Sequence, residues 1–143
     1  NLGLDLKVVR AGSEQAVLAA LDAAYSRKQP ILFYFWTPHS IHAKYELTPV
    51  KLPEYTDACY SKAKDGGVAC DYPKDVLFKI AWNGLKDKAP DAYQFLKNMQ
   101  YSDKDQIGMI AAVELDKKTA EQAARDWVTK NEAVWKAWLP PGK

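Results

Sequence analysis

The sequence predicts an α/β fold in which helices flank a sheet rich in parallel strands and gather in the C-terminal part. The strongest observation is ILFYFW at residues 31–36, an unbroken apolar run typical of a strand that helices cover on both faces. A strand-like segment at residues 5–9 and an amphipathic helical pattern precede this run, and together they indicate a βαβ unit. After residue 82 the periodicity is mainly helical.

The first predicted helix begins at Ser13, a residue type suited to cap a helix N-terminus, and extends to residue 28. Its apolar residues recur at helical spacing and form one face; they are Val17, Leu18, Leu21, Ala24 and Tyr25. Pro30 separates this helix from the apolar run that follows. Residues 37–75 contain several prolines and a Gly66-Gly67 turn, and they form a long irregular connection of the kind that often carries function.

Beyond this connection, DVLFKIAW at residues 75–82 predicts another strand, and three helical segments follow it. The segments are DAYQFLKNM, SDKDQIGMIAAVEL with Ser102 as its N-cap, and TAEQAARDWVTKNEAVWKAWL, which ends before Pro140. Four tryptophans follow the strand or helix periodicity and are interpreted as packing residues; they are Trp82, Trp127, Trp135 and Trp138.

Length and composition narrow the class of protein. With 143 residues, the chain is long enough for one hydrophobic core and short for two ordinary domains. Its formal charge of +2 comes from scattered lysines and not from the basic patch typical of nucleic-acid recognition, so we expect no nucleic-acid partner.

No apolar run approaches the roughly 18 residues that span a bilayer. NLGLDLKVV at the N-terminus lacks the features of a signal peptide, so any export signal is expected to be removed or to lie outside this sequence.

Cys59 and Cys70 bracket a polar stretch that contains the Gly66-Gly67 turn, which can bring the two thiols together. A disulfide between them would stabilise the fold by about 2 to 3 kcal/mol through loop entropy. It would also indicate an oxidising compartment. The alternative is a pair of free thiols in a cytosolic protein.

Trp36 and His39 directly follow the apolar run, with Thr37 and Pro38 between them. Ligands of open α/β sheets bind at the carboxyl ends of the strands, so this position favours a binding role. The face of an indole attracts cations, including a quaternary ammonium that has no hydrogen to donate. A histidine beside it can donate a hydrogen bond to a carboxylate. The structural alternatives are a core tryptophan that ends its strand and a simple surface histidine.

His39 and His42 also match an H-x-x-H pair, and imidazole is a common zinc ligand. A small metal-dependent hydrolase using these histidines is therefore the alternative from the enzyme class; its third ligand would come from residues such as Glu46, Glu54 or Asp57. The chain lacks a nucleophile elbow, a glycine-rich phosphate loop and a C-x-x-C motif, so we expect no enzyme, metal or cofactor. A third possibility is a purely structural interaction domain with Trp36 in its core.

With these residues in view, the chain resembles the glycine betaine, proline betaine and choline binding proteins of ABC-type importers. FWTPHSIHAKYEL is similar to that family's tryptophan-any-proline-histidine segment, and GLKDKAPDAYQFLKNM and TAEQAARDWVTKNEAVWKAW extend the likeness along nearly the whole chain. The resemblance implies a lobe of the type II periplasmic-binding-protein fold. It also implies that Trp36 is one wall of an aromatic cage around a trimethylammonium group, and that His39 binds the ligand carboxylate.

Members of that family are longer and have two lobes, so the resemblance implies that residues 1–143 are the C-terminal portion of such a protein. Residues 1–75 would form the βαβ unit with two loops: the ligand loop, which carries Trp36 and His39, and the Cys loop, which lies between Cys59 and Cys70. Residues 76–143 would form a strand and the helical C-terminal part. The implied partners are a quaternary ammonium ligand, the membrane permease of an ABC importer and the protein's own N-terminal lobe, in a periplasmic or other extracytoplasmic location. Ser40 departs from the family pattern, in which an aromatic residue often follows the histidine.

Overall fold

The computed structural model describes residues 5–142, and its regular secondary structure is helical. The α-helices are α1 (Glu14–Ser26), α2 (Ile41–Lys44), α3 (Asp57–Tyr60), α4 (Leu85–Lys88), α5 (Pro90–Asn98), α6 (Asp103–Glu114), α7 (Ala120–Lys130) and α8 (Glu132–Lys136), and a 3-10 helix at Ser61–Asp65 follows α3. The first four residues and Lys143, which the predicted span of 1–143 includes, lie outside the described residues.

The predicted sheet is absent from the part of the chain that the structure describes. Residues 5–142 contain no β-strand, so the predicted α/β lobe with a parallel-rich sheet is wrong for this structure. The three segments expected to be strands, at residues 5–9, 31–36 and 75–82, have no regular secondary structure. The helical C-terminal part is observed.

The physical reason is that an apolar run identifies a strand-like sequence without specifying its partner. A strand is defined by backbone hydrogen bonds to a neighbouring strand, and composition does not encode those bonds. In this structure many side chains of the three runs are exposed instead of covered, as the exposed fractions of Val9 (80%), Leu32 (64%) and Ile80 (86%) show. The runs have the residues of buried strands, but within residues 5–142 no partner pairs with them.

The described chain consists of two compact units. The first unit comprises the described residues up to Phe35 together with Val50–Lys74. Its longest helix, α1, begins where the sequence predicts, because the Ser13 hydroxyl accepts a hydrogen bond from the Ala16 amide at 3.2 Å. The apolar face of α1 buries Leu21 completely.

The Cys loop of the first unit closes through the predicted disulfide. Cys59 in α3 and Cys70 are bonded, and their Cα atoms lie 6.4 Å apart. Thr56 caps α3 by accepting a hydrogen bond from the Cys59 amide at 3.1 Å. Gly66 ends the 3-10 helix with a positive φ of 67°, a conformation that glycine adopts without steric cost. The disulfide prediction is therefore confirmed.

The second unit comprises Trp36–Pro49 and the chain from Asp75 onward, and it has an aromatic core. The rings of Trp127 and Trp138 stack with centroids 5.6 Å apart, and Tyr101 meets both edge-on at 5.0 and 5.2 Å. Both indoles are buried, as the helical periodicity predicts. The indole N–H of Trp127 donates to Asp105 at 3.0 Å, so the polar atom of this core ring is satisfied.

Side-chain caps fix the two longest helices of this unit. Ser102 begins α6 and Thr119 begins α7, each in a reciprocal capping box with the residue three positions later. The predicted single helix at residues 119–139 is divided at Asn131, whose backbone (φ −118°, ψ 38°) leaves the helical region. Its side-chain amide donates to the Trp127 carbonyl at 2.8 Å and so satisfies a carbonyl at the end of α7.

Trp82 differs from the other tryptophans interpreted as packing residues. Its side chain is 67% exposed, and its ring lies across Gly84. A Cβ atom at Gly84 would meet ring carbons at 2.3 Å, so only glycine permits this arrangement. The strand periodicity predicted that Trp82 is a packing residue. That prediction is wrong within residues 5–142, because no core forms around its side chain.

Candidate functional site

The turn at residues 36–39 brings the two sequence-predicted ligand residues together in the second unit. The ring centroids of Trp36 and His39 lie 5.5 Å apart at an interplanar angle of 81°, an edge-to-face contact. The Trp36 side chain is 43% exposed, whereas His39 is only 8% exposed. The peptide bond between Thr37 and Pro38 is cis. The turn therefore presents an indole to solvent and holds the imidazole below the surface.

A hydrogen bond from the backbone that follows His39 orients its ring. Its Nδ1 atom accepts the Ile41 amide hydrogen at 3.2 Å, just where α2 begins. An Nδ1 atom that accepts a hydrogen bond carries no proton. In the neutral ring, Nε2 is therefore the nitrogen that carries the hydrogen.

Ser40 and Glu114 attach this turn to α6. The Ser40 side chain is buried, at 5% exposure, and its hydroxyl donates to Oε2 of Glu114 at the C-terminal end of α6. The same hydroxyl oxygen lies 3.5 Å from His39 Nδ1. Helix α2 packs against α6 beside this bond. The departure at Ser40 thus places a buried hydrogen-bond donor where an aromatic residue is common in the family that the sequence resembles.

The two histidines do not form a metal site with other ligands in this structure. The ring Nε2 of His42 donates to the Trp36 carbonyl at 3.0 Å, and His39 Nδ1 accepts from the backbone. Among residues 5–142, no group of three or more His, Cys, Asp or Glu side chains is placed to hold a metal ion. The H-x-x-H spacing instead lets both imidazoles fasten the turn to neighbouring backbone.

The first unit has its own aromatic cluster near the disulfide. A cavity of about 330 Å³ is lined by Leu52, Tyr60, Val68, Ala69, Cys70 and Tyr72. The Tyr72 ring lies 4.8 Å from the Tyr34 ring, and partial burial raises the pKa of the Tyr72 phenol above its ordinary value. Tyr55 lies 5.5 Å from Tyr60 and donates its hydroxyl to Asp57 at 2.7 Å, which also raises the pKa of Tyr55. Four tyrosines, Tyr34, Tyr55, Tyr60 and Tyr72, thus form two ring pairs in the same unit as the disulfide.

Comparison with known protein families adds the decisive observation. Residues 1–130 match OpuAC, the substrate binding domain of the ABC-type glycine betaine transport system. The chain belongs to this family. The family consists of substrate-binding domains of a transport system, which are not enzymes.

Two curated relatives are considerably longer than this chain. The Trimethylamine N-oxide-binding protein of Pelagibacter ubique is 34% identical over 94% of this chain and 43% of its own length. The Glycine betaine/carnitine transport binding protein GbuC of Listeria monocytogenes is 27% identical over 91% of this chain and 38% of its own length. The chain thus spans less than half the length of these relatives.

A solved structure shows the same fold. Lactococcal OpuAC, crystallised in a closed conformation with glycine betaine, superposes with a TM-score of 0.57 at 24% identity, over 95% of this chain and 47% of that one. The likeness lies in the course of the backbone, since no strand is present in residues 5–142. None of the helices within this described range is long and apolar enough to cross a bilayer.

Sequence reasoning missed Glu114 as a partner of the candidate site. The residue lies 74 positions from Ser40, and no local pattern connects the two. The only available signal was Ser40 itself, because a small polar residue in a place often occupied by an aromatic ring needs a hydrogen-bond partner once it is buried.

Proposed function

We propose that residues 1–143 are the C-terminal portion of a two-lobed extracytoplasmic receptor that binds a methylated ammonium compound and delivers it to the permease of an ABC importer. Membership of the OpuAC family supports the class of protein. The observation that carries the ligand assignment is the partly exposed indole of Trp36 beside the Nε2–H donor of His39. The disulfide between Cys59 and Cys70 supports an oxidising, extracytoplasmic location.

Trp36 supplies the surface for the cationic end of the ligand. A methylated ammonium group is poorly suited to hydrogen bonding, but it is attracted to the electron-rich face of an indole. The 43% exposure of Trp36 leaves ring surface accessible for such a contact. The His39 ring lies 5.5 Å from the Trp36 ring and nearly perpendicular to it, beside the position proposed for the ligand.

His39 supplies a donor for the anionic end. Because Nδ1 is occupied by the Ile41 amide, the neutral ring offers its hydrogen from Nε2. Glycine betaine carries a carboxylate and trimethylamine N-oxide carries an anionic oxygen, whereas choline has only a hydroxyl. We therefore expect affinity to decrease from the two zwitterions to choline. The names of the two curated relatives include both kinds of zwitterion.

The energies show that this turn needs further partners. One desolvated cation–π contact contributes about 2 kcal/mol, whereas micromolar affinity corresponds to about 8 kcal/mol. The remainder would come from additional rings and from a second lobe that closes over the ligand and excludes water. For the 143-residue chain alone we expect affinity no tighter than roughly millimolar, about 4 kcal/mol.

The test is calorimetric titration of the full-length gene product with glycine betaine, trimethylamine N-oxide and choline. Trp36→Ala should weaken zwitterion binding by at least about 30-fold, which corresponds to one desolvated cation–π contact. Trp135→Ala, which removes an indole of α8 in the same unit, is the matched control and should bind as the parent does. Equal affinity of the Trp36→Ala variant and the parent would contradict the assignment.

A further inference from the structure

Glu114 is the last residue of α6, a position at which a carboxylate does not favour the helix itself. The C-terminal end of a helix carries partial negative charge, so acidic residues stabilise the first turn and basic residues the last. Helix α6 follows this rule at its start, where Asp103 and Asp105 lie, but residues 111–114 contain no Lys, Arg or His. Residues that break a local rule of this kind are found at functional sites.

The hydroxyl of Ser40 is the partner of this carboxylate. It is buried and donates to Oε2 of Glu114, and a charged acceptor makes such a bond stronger than one between neutral groups. The backbone carbonyl of Glu114 has a different partner, the ammonium group of Lys117 at 2.7 Å. Because the Ser40 hydrogen points to Glu114, the hydroxyl oxygen at 3.5 Å from His39 Nδ1 does not compete with the Ile41 amide for that atom.

The same bond positions the start of α2. Ser40 precedes this helix, and its carbonyl accepts the amides of Ala43 at 2.9 Å and Lys44 at 3.1 Å. The next residue, Ile41, has a buried side chain and donates its amide to the His39 ring at 3.2 Å. A displacement of Ser40 therefore moves the amide that orients the imidazole.

We propose that Glu114, acting through Ser40, sets the preference of this site for ligands that carry an anionic oxygen. This inference rests on the proposed function, in which His39 binds that oxygen and Trp36 binds the methylated ammonium. A hydrogen bond weakens steeply as its angle departs from linear, whereas a cation anywhere within about 6 Å over an indole face is attracted. Loss of the Glu114 carboxylate should therefore weaken the anionic contact much more than the cationic one.

Calorimetric titration of the full-length gene product with glycine betaine and with tetramethylammonium, which has the cation but no oxygen, tests the proposal. Glu114→Ala should weaken glycine betaine binding by about 10-fold, the lower end of what a hydrogen bond to a charged group contributes. Its affinity for tetramethylammonium should not change. Glu132→Ala, which removes a glutamate of the same unit that pairs with Lys136 at 2.6 Å, is the matched control and should bind both ligands as the parent does.

Glu114→Gln keeps an acceptor oxygen for Ser40, so its loss should be selective for glycine betaine in the same way but smaller. Thermal melting shows which variants are folded at the titration temperature, and Glu114→Gln carries the same test where Glu114→Ala is unfolded. Unchanged glycine betaine affinity in the folded Glu114 variants would overturn the proposal. Equal weakening of both ligands would overturn it too, because a general loss of structure or of negative charge affects both cations.

A double-variant cycle tests the route through Ser40. Ser40→Ala should weaken glycine betaine binding about as much as Glu114→Ala does, and the double variant should lose no more than either one, because all three lack the same bond. Additive losses would show that Glu114 acts by another route, and the proposal would be wrong.

Trp36→Ala, titrated with the same two ligands, separates this inference from the proposed function. Weaker binding of both ligands by Trp36→Ala, with no effect of Glu114→Ala on either, would overturn this inference alone. Binding of both ligands by Trp36→Ala at the parent's affinity would contradict the proposed function, and the inference would fail with it.

Discussion

The hydroxyl of Ser40 donates a hydrogen bond to the carboxylate of Glu114, and this bond joins the turn that carries Trp36 and His39 to the end of α6. The bond spans 74 positions of the chain, and its donor is buried. Because His39 Nδ1 is held by the amide of Ile41, the residue after Ser40, the orientation of the imidazole depends on where α6 places the start of α2. Glu114 is thus a positioning residue for the turn, and it acts on the proposed ligand site through Ser40.

Removal of the Ser40 hydroxyl should loosen the turn. We expect Ser40→Ala to lower the free energy of unfolding by about 1 to 3 kcal/mol, since it deletes a hydrogen bond to a charged acceptor. Glu114→Gln keeps an acceptor oxygen and should cost less. Chemical denaturation measures both, with Ser61→Ala as control because its hydroxyl makes an exposed bond to the Ala58 carbonyl. A cost for Ser40→Ala no larger than that for Ser61→Ala would show that the bond to Glu114 does not stabilise the turn.

Truncation of two tryptophans in the second unit should lower stability by very different amounts. Trp127 is buried among Trp138 and Tyr101, so Trp127→Ala should cost about 3 to 5 kcal/mol of stability. Trp36 is 43% exposed, and Trp36→Ala should cost about 1 kcal/mol or less. Urea unfolding of the two variants checks the contrast. A Trp36→Ala cost as large as that of Trp127→Ala would place Trp36 in the core and favour the purely structural alternative.

Asp105 should make stability depend on pH. Hydrogen bonds from the Ser102 hydroxyl and the Trp127 indole hold the pKa of this carboxyl below its ordinary value of 3.8. A lowered folded-state pKa means that the stabilisation is fully present above the unfolded pKa and is lost as the pH decreases through the folded pKa. The stability difference between the parent and Asp105→Asn should therefore be constant near neutral pH, begin to decrease as the pH falls below the ordinary value, and level off only below the folded-state pKa. Thermal melts at several pH values measure it, and a difference that does not change with pH down to the lowest pH would show that these hydrogen bonds do not favour the ionised carboxylate.

The disulfide should contribute to the stability of the first unit. Replacement of both Cys59 and Cys70 by serine should cost about 2 to 3 kcal/mol, because the unfolded Cys loop then regains its entropy. Thiol titration of unfolded, unreduced protein should find no free thiol. Two reactive thiols per chain would remove the support for an extracytoplasmic location.

The helices could be predicted because their signals are local. Ser13, Ser102 and Thr119 cap their helices through bonds that span three residues, and the same short window contains the apolar periodicity. The break at Asn131 was missed because the apolar face continues across it, whereas the bond from its side chain to the Trp127 carbonyl is visible only in three dimensions. The sheet could not be decided, since the run at residues 75–82 is strand-like with or without a partner.

The local part of the candidate site could be predicted from the sequence, whereas its long-range part could not. Trp36 and His39 are three positions apart, so one turn brings them together whatever the rest of the fold does. The role of Ser40 depends on Glu114, and that pairing is set by the packing of α2 against α6. Long-range contacts of this kind leave no periodic or compositional trace in a single sequence.

Contact between the methyl groups of a ligand and the Trp36 ring is the central claim, and saturation-transfer NMR tests it most directly because the method detects millimolar binding. Irradiation of aromatic protons in the 143-residue chain should attenuate the N-methyl signal of glycine betaine, and Trp36→Ala should abolish this transfer while Trp135→Ala preserves it. Equal transfer in the parent and in Trp36→Ala would show that the methylated ammonium binds elsewhere, and the assignment of this turn as the ligand site would be wrong.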